Sequence, residues 1–591
     1  MDTGFQASRT VIAGRTGYAV PLIVSVTGHR NLVPAEIPEI RKRVREFLSE
    51  LCEKYPDRGV SVMSPLAAGA DQIVAEEAIT LRIPLIAALP MPCDIYRSDF
   101  DTTRVRENFN LLLSQASEIF ELPITPGNTP KSIAEYGKNR TRQYAQLGVF
   151  LCAHSHILLA LWDGNENDKL GGTASVVRFQ HHDIMRGYTR AAETSRLVLA
   201  DDESDLVYHI VCSRDQPDGE PAHHLEPLSC SWYTSDEHEP RTAVVPKRHE
   251  RVFAHTNEFS RDARENEERI QNEAWTLIEE DAKMHLPAGV RDIDHVYRVA
   301  DWLAIHFQKR KILVLRAAHI LALLMGLMYI AYSDVLPQRI FIIAFIVFFL
   351  IAVLIHRYAD KGAWHRKYLD YRTLAEGLRV QFYWAAAGVT SDSVSKFAHD
   401  NFLQMQDPDL GWIRNVMRVA GMECNVKPNT DRRGLDFAIR TWIGDEAGGQ
   451  LGYYRRKGIE KILRQRFTDR MASIVLWVSF AAFALFVFAT TEIADIVRDP
   501  LVVFMGVLLL VVGVRQSYVF SIADAELIKQ YEFMFRAFSK ARQRIDASAN
   551  ENERRRVLKV LGEAALEEHA EWILTHRERA SDEGEIWRMT G

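Results

Sequence analysis

The sequence predicts an α/β domain with a doubly wound parallel sheet at the N-terminal end, joined to an all-α membrane region of two helical hairpins with long cytoplasmic helices. Three observations predict it. From Pro21 to Cys212 short apolar runs alternate with amphipathic stretches of helical period, the pattern of strands and their crossover helices. The second half holds four uninterrupted apolar stretches, and the first half has nothing comparable. Those four fall into two pairs offset by about 160 residues.

At 591 residues the chain exceeds the ~250–300 residues at which single cores stop growing, so it must hold several domains. Hydrophobic residues at 47%, charged residues at 25% and a mean hydropathy of −0.14 exclude a disordered chain, a disulfide scaffold and a wholly embedded transporter. A net charge of −6 gives no basic face for general nucleic-acid binding, and none is expected. The six cysteines (Cys52, Cys93, Cys152, Cys212, Cys230, Cys424) show no C-x-x-C spacing and read as reduced packing residues. The start, MDTGFQASRT, has no basic patch leading into an apolar run, so no cleaved signal is expected.

In order, the strand-like runs are Leu22–Thr27, Val60–Ser64, Leu85–Pro90, Glu118–Leu122, Ile157–Leu161 and Val207–Cys212. Helical stretches lie between them at Glu36–Tyr55, Ala70–Arg82, near Thr103–Ala116, near Lys138–Ala153 and after Gly172. Ligands of such sheets collect at the carboxyl ends of the strands, so the loops that follow strands carry the candidates. The first strand ends in Thr27-Gly28-His29-Arg30, and the second leads to Gly69-Ala70-Asp71 at a helix start. The fifth runs into Asp163-Gly164, then Gly171-Gly172-Thr173 before another helix. Glycine lets backbone approach a phosphate, and the N–H groups of a helix start hold an anion. Arg30, Arg140 and Arg142 can add charge-assisted bonds, and Asp163 can accept from ribose hydroxyls. Three such loops on one predicted edge point to a nucleotide site.

The apolar stretches are Ile312–Tyr332, Ile340–Ile355, Ala472–Thr490 and Leu501–Val514. About 20 apolar residues cross a bilayer core, so the second and fourth need their flanks, giving spans of 312–332, 340–357, 472–490 and 501–520. Ser333–Arg339 and Glu492–Pro500 form the hairpin turns. Basic residues precede the first span (Lys309, Arg310, Lys311) and the third (Arg455, Arg456, Lys457, Lys461, Arg464, Arg466, Arg470). Both hairpins are therefore expected to enter and leave on the cytoplasmic side of the plasma (inner) membrane, with both termini cytoplasmic.

A stripe of Tyr368, Tyr371, Ala375, Leu378 and Phe382 follows the first pair, and Leu527, Tyr531, Met534, Phe538, Ala541 and Ile545 follow the second. Val296, Val299, Leu303 and Phe307 lead into the first. These seams and the shared offset read as an internal duplication of helix, hairpin, helix; stripes of this kind form intrachain core more often than oligomer contact, and a homo-oligomer is expected of the chain. His319, inside the first span, is the pore-lining candidate, whereas Arg316 and Arg515 near span ends can snorkel.

The order TGHR, SPLAAGAD, Tyr96…Asp99-Phe100, ALWDG, GGT and YHIVCSR over residues 19–215 resembles the SLOG domain (SMF/DprA-LOG superfamily, TRPM-like), a Rossmann-like nucleotide-sensing module. Ala300-Asp301-Trp302-Leu303-Ala304 before the first hairpin, and Tyr371-Arg372, Ala375-Glu376 and Leu378-Arg379 after it, resemble SLATT domains, two-transmembrane effectors of bacterial conflict systems. The resemblance covers 256–425 and, through the repeat, 450–591. It implies a membrane effector in which a nucleotide-derived signal of the NAD or ADP-ribose class gates pore formation or membrane disruption, in anti-phage defence. No tightly bound cofactor is implied. In the LOG branch a longer glycine motif precedes a catalytic Glu, whereas here Gly171-Gly172-Thr173 continues Ala174-Ser175-Val176-Val177, so no catalytic residue is assigned.

The alternative is a membrane-anchored nucleotide hydrolase of phosphoribohydrolase or NAD-glycohydrolase type using Asp163, Glu166 or Asp71. A third reading is a scaffold that recruits partners to the membrane. His154 with His156, and His181-His182-Asp183, lack a third and fourth ligand at metal spacing, so no metal site is expected. Residues 216–255, with Pro217, Pro221, Pro227, Pro240 and Pro246, read as a polar linker or lid, and 391–449 joins the two hairpin units.

Overall fold

Strands covered by helices on both faces are apolar along their whole length, and here that property builds the sheet. The computed structural model describes residues 19–189, 204–389, 402–403, 407–489, 495–522 and 524–588. Its elements begin β1 (Leu22–Gly28), α1 (Ile37–Lys54), β2 (Val60–Ser64), α2 (Ala70–Thr80), β3 (Leu85–Leu89), α3 (Thr103–Gln115) and β4 (Glu118–Glu121). They continue α4 (Lys138–His154), β5 (Ile157–Trp162), α5 (Thr173–His182) and β6 (Val207–Val211). These six strands are parallel in the spatial order β4-β3-β2-β1-β5-β6. The chain winds outward from β1 to β4 and returns on the other side at β5, so the order reverses between β1 and β5. Every predicted strand and helix of this region is present, with ends shifted by a residue or two.

The segment 216–255 is not a linker. It carries β7 (Cys230–Tyr233), antiparallel to β6, and β8 (Arg241–Thr242), antiparallel to β7, which complete an eight-stranded mixed sheet. Trp232 is buried at 4.9 Å from the Tyr208 ring and 5.8 Å from Phe47 of α1. The Asp205 carboxylate fastens the segment: Ser235 donates to it through N (3.1 Å) and Oγ (2.7 Å), and His249 Nε2 lies 2.9 Å away on α6 (Lys247–Glu265). Burial raises the Asp205 carboxyl, but the His249 and Ser235 contacts outweigh it and hold it down at about 2. Pro217, Pro221, Pro227, Pro240 and Pro246 all fall outside the two strands, so none interrupts their ladder. A short turn of helix, Glu267–Glu273, follows α6.

The chain forms two compact units. The first comprises Met1–Trp302, Thr373–Phe437 and Leu558–Leu574, and so contains the sheet. Much of the joining segment belongs to it: Gly411–Ala420 is buried throughout, Trp412 packs 5.8 Å from Phe259, and the Arg418 carbonyl lies 3.0 Å from His154 Nδ1. Residues 390–401 and 404–406 of that segment lie outside the described residues.

The second unit comprises Leu303–Arg372, Ala438–Val557 and Thr575–Gly591. The helices of this region are α7 (Ala288–Ile330), α8 (Arg339–Lys361), α9 (Trp364–Ala387), α10 (Gly449–Ala489), α11 (Asp495–Ile522), α12 (Asp524–Ala547) and α13 (Glu551–Arg588). Lengths repeat: 43, 23 and 24 residues for α7, α8 and α9, against 41, 28 and 24 for α10, α11 and α12. The unit boundaries at 302/303 and 372/373 fall inside α7 and α9.

Among the described residues four helices are long and apolar enough to cross a membrane, at Ala288–Val335, Arg339–Lys361, Gly449–Ala484 and Pro500–Ser521. They contain the first, second and fourth predicted stretches and the third from Ala472 to Ala484; Thr490 and the turn residues 491–494 lie outside the described residues. In α8 no residue is buried, and Ile340, Ile343, Ile346, Leu350 and Leu354 are exposed. A helix apolar on every side, none of whose residues is buried, is built for a nonaqueous surrounding. The seams form intrachain core: Tyr371, Leu378, Phe382, Met534, Phe538 and Ile545 are all buried within the chain. In this unit Tyr371 meets Phe307 at 5.7 Å and Phe538 meets Trp442 at 5.8 Å.

Candidate functional site

The candidate residues gather where β1, β5 and α2 converge. A β-carbon on Gly28 would lie 2.4 Å from Ala70 Cβ and 2.9 Å from the Leu161 carbonyl oxygen, so only glycine lets the three meet. At Gly69 (φ +83) a side chain would strike the His29 and Arg30 carbonyl oxygens. That approach lets Ala70 N–H donate to the His29 carbonyl at 3.0 Å. Just before it, buried Leu66 is held at φ +59, a strained conformation for a branched side chain. Ser64 Oγ accepts from Leu66 N–H (3.1 Å), and Gln72 Nε2 donates to the Leu66 carbonyl (3.2 Å), which fixes the strained loop.

From Thr27-Gly28 the next two side chains serve opposite flanks. His29 serves the β5 flank, where its Nε2 accepts from Asp163 N–H at 3.0 Å and lies 3.2 Å from Asp163 Oδ1. Asn165 N–H donates to the same carboxylate at 3.0 Å. Arg214 Nε, from the chain after β6, is 2.8 Å from Asp163 Oδ2, a contact of charge and distance, its angle being poor for a hydrogen bond. Burial pushes the Asp163 carboxyl up, but His29, Asn165 and Arg214 together leave it below the usual carboxylate range. Asp163, predicted as a ribose acceptor, is thus committed to its own loop, and Gly164 is covered by Leu225.

Arg30 serves the other flank. Its guanidinium is half-exposed, lies 3.8 Å from Asp99 Oδ2 and stands over the Tyr144 ring at 5.7 Å. Asp71, in the first turn of α2, is 6% exposed, Asp99 5% and Tyr96 fully buried. Asp71 Oδ1, Tyr96 Oη, Asp99 Oδ2 and Tyr144 Oη have no hydrogen-bond partner among the described residues. Such groups cost ~1–3 kcal/mol each when left dry. Burial pushes the Asp71 carboxyl up to about 7, against the pull of the Arg30 charge and the Ala67 N–H.

Arg140, predicted to reach a ligand, is 1% exposed and spent internally. It donates to the carbonyls of Ile133 (2.6 Å), Ala134 (3.2 Å) and Ile95 (3.2 Å), and to Asp99 Oδ1 (2.5 Å). It braces the loop that presents Tyr96 and Asp99. Gly171, Gly172 and Thr173 open α5, which like α2 has no side-chain cap on its first-turn N–H groups. Gly171 packs against Tyr144, whose ring Arg30 covers, so this helix start adjoins the Arg30 flank.

The other candidates lie apart. Glu166 is exposed and paired with Arg178 at 2.9 Å. His319 packs between α7 and α11, with Nδ1 2.8 Å from the Leu315 carbonyl and its ring 5.3 Å from Tyr518. His154 is buried against the Arg418 carbonyl and pushed down to about 3 by that burial, and His156 accepts from Ile23 N–H at 2.9 Å. Among the described residues no group of three or more His, Cys, Asp or Glu is placed to hold a metal ion.

The chain matches no family model and no curated protein. Tyr96 and Asp99 stand in a motif quoted above but carry no assigned role there. Their signal was the Arg140 charge that had to be matched, a pairing 41 residues apart.

Proposed function

We propose that this is a membrane effector with a Rossmann-like, SLOG-type nucleotide sensor and two SLATT-type hairpin units, in which a nucleotide-derived ligand of the NAD or ADP-ribose class gates membrane permeability. The observation that carries the reading is the pairing, in one chain, of an unsatisfied polar edge with four bilayer-length apolar helices. The edge offers what a nucleotide needs: the uncapped start of α5 for phosphate, the half-exposed Arg30 as cation, and loops that Gly28, Gly69 and Gly171 let pack closely on their own neighbours, which holds the edge in shape. The sheet order reverses between β1 and β5, the place where open α/β sheets take ligands.

α7 and α9 each contribute to both compact units, so a shift in one has a continuous helix through which to bias the other. A coupling of ~1–3 kcal/mol is enough for a useful switch. Homo-oligomerisation through the apolar helices, a plasma-membrane location with cytoplasmic termini, and a role in anti-phage defence complete the proposal.

Proteoliposomes loaded with a self-quenched dye test it. ADP-ribose, NAD or AMP should raise leakage saturably, and a nucleotide that binds while leaving permeability unchanged counts against gating. One observation favours a second reading, a membrane-anchored hydrolase: Asp71, with a carboxyl at about 7, is tuned for proton transfer near neutrality. Released base or ribose phosphate that disappears in Asp71→Asn would establish that reading instead.

A further inference from the structure

The carboxylates of Asp71 and Asp99 on the Arg30 flank each keep an oxygen without a hydrogen-bond partner among the described residues, with the Arg30 charge 3.8 Å from Asp99 Oδ2 and the exposed Tyr136 phenol also reaching Asp99. Asp71 Oδ1 and Asp99 Oδ2 sit on side chains more than nine-tenths buried, and the buried Tyr96 hydroxyl beside them is equally unpartnered among the described residues. Geometry gathers them with Arg30 and Arg140, five in all: the Arg30 guanidinium lies 3.8 Å from Asp99 Oδ2, Arg140 lies 2.5 Å from Asp99 Oδ1, and the Arg30 backbone packs on Gly69, two residues before Asp71. The Tyr96 phenol, pushed up by burial, feels all four charges. Their charges decide what fits. A phosphate would face two carboxylates, and a metal ion would face two guanidinium groups, one of them 2.5 Å from Asp99 Oδ1 and the other 3.8 Å from Oδ2. An uncharged group rich in O–H donors meets neither objection. It can donate to the two carboxylate oxygens and accept from the tyrosine.

We propose that Asp71, Asp99 and Tyr96 form a hydroxyl-reading subsite that takes the vicinal diol of a nucleotide ribose, with Arg30 at its entrance. The subsite rests on the nucleotide reading above and refines it. It moves ribose recognition from Asp163, which the Asn165 N–H and the Arg214 charge engage from within the chain, to Asp71. Arg30 is the member of the five that solvent reaches, at 47% side-chain exposure, and Arg140 holds Asp99 from behind. The first turn of α2 presents Asp71 from the strained Leu66–Gly69 loop, so its position is fixed before a ligand arrives. A site built to bond a substrate hydroxyl rejects the analogue that lacks it, because its own buried groups are then left unpaired.

The test is calorimetric titration of the full-length protein in detergent micelles with AMP, 2′-deoxy-AMP and 3′-deoxy-AMP. Wild type should prefer AMP over both deoxy forms by at least ~10-fold, and Asp71→Asn should shrink that preference to below about threefold while still binding 2′-deoxy-AMP. Retained 2′-deoxy-AMP binding reports that the variant is folded, and Asp99→Asn provides a second arm with the same expectation. Equal affinity of wild type for AMP and its deoxy analogues overturns the subsite and leaves the nucleotide reading standing. So does a preference that survives in both variants. Failure of AMP, NAD and ADP-ribose alike to bind overturns both.

Discussion

His29 and Arg30 are neighbours in sequence, yet the two flanks they serve are chemically unlike. On the β5 flank, the Asp163 carboxylate is met by a histidine, a backbone N–H and an arginine, and its charge is stabilised despite burial. On the α2 flank, Asp71 is buried too, but where the Arg214 charge lies 2.8 Å from Asp163 Oδ2, Asp71 Oδ1 has no partner among the described residues, and its charge is disfavoured. A carboxylate enclosed by its own chain holds a loop shut. One that the fold shields from water and then leaves unsatisfied is poised for something that arrives from outside.

The largest expected effect falls on the closed flank. Asp163→Ala leaves the His29 and Arg214 groups facing a lost anion, and should cost ~3–5 kcal/mol of stability, read as a fall in melting temperature. Arg140→Ala belongs to the same class, since it strips Asp99 and three carbonyls of their donor. A small change in melting for both would erase the distinction between structural and receptive groups.

The next effect separates the flanks by pH. Asp71 has a folded pKa raised to about 7, so the stability it contributes is fully present below the unfolded value of 3.8 and is lost as pH rises through 7. Asp163 has a folded pKa depressed below 3.8, so its contribution is present above that value and lost as pH falls through the depressed one. Asp71→Asn should therefore gain roughly 2–4 kcal/mol over wild type at about pH 8 and little near pH 4. Asp163→Asn should fall short of wild type throughout the neutral range. Parallel melting curves from pH 4 to 8.5 would contradict the assignment.

The smallest effect on stability is expected at Arg30. Its half-exposed guanidinium makes a long contact with Asp99, so Arg30→Ala should change stability by less than ~1 kcal/mol. The same variant should weaken ADP-ribose binding by ~10-fold or more, because a charge-assisted contact to phosphate is lost. Stability loss without binding loss would return Arg30 to the structural class.

Much of the fold was legible because its physics is local. Parallel strands buried on both faces leave apolar runs, and bilayer-length helices leave longer ones, so both halves could be read from the chain alone. The edge strands β7 and β8 left no such run: four and two residues long in a proline-bearing polar segment, they exist because Asp205 takes Ser235 and His249 from elsewhere in the sequence. The site divides similarly. Gly28 and Gly69 were legible, since close approach and positive φ are written in residue type. Which carboxylate is free was not: Asp71 and Asp163 both follow a strand in a glycine-bearing loop, and only the arrival of Arg214 from beyond β6 separates them. Arg140 looked like a ligand contact and is a brace, because its acceptors are carbonyls that any residue supplies.

One titration decides between the flanks. ADP-ribose is titrated calorimetrically into wild type, Asp71→Asn and Asp163→Asn, each the full-length protein in the same detergent, at a temperature where all three are folded. We predict that Asp71→Asn loses at least ~10-fold in affinity while Asp163→Asn stays within about threefold of wild type. The reverse order, with Asp163→Asn crippled and Asp71→Asn unaffected, would contradict the assignment of the ligand to the α2 flank.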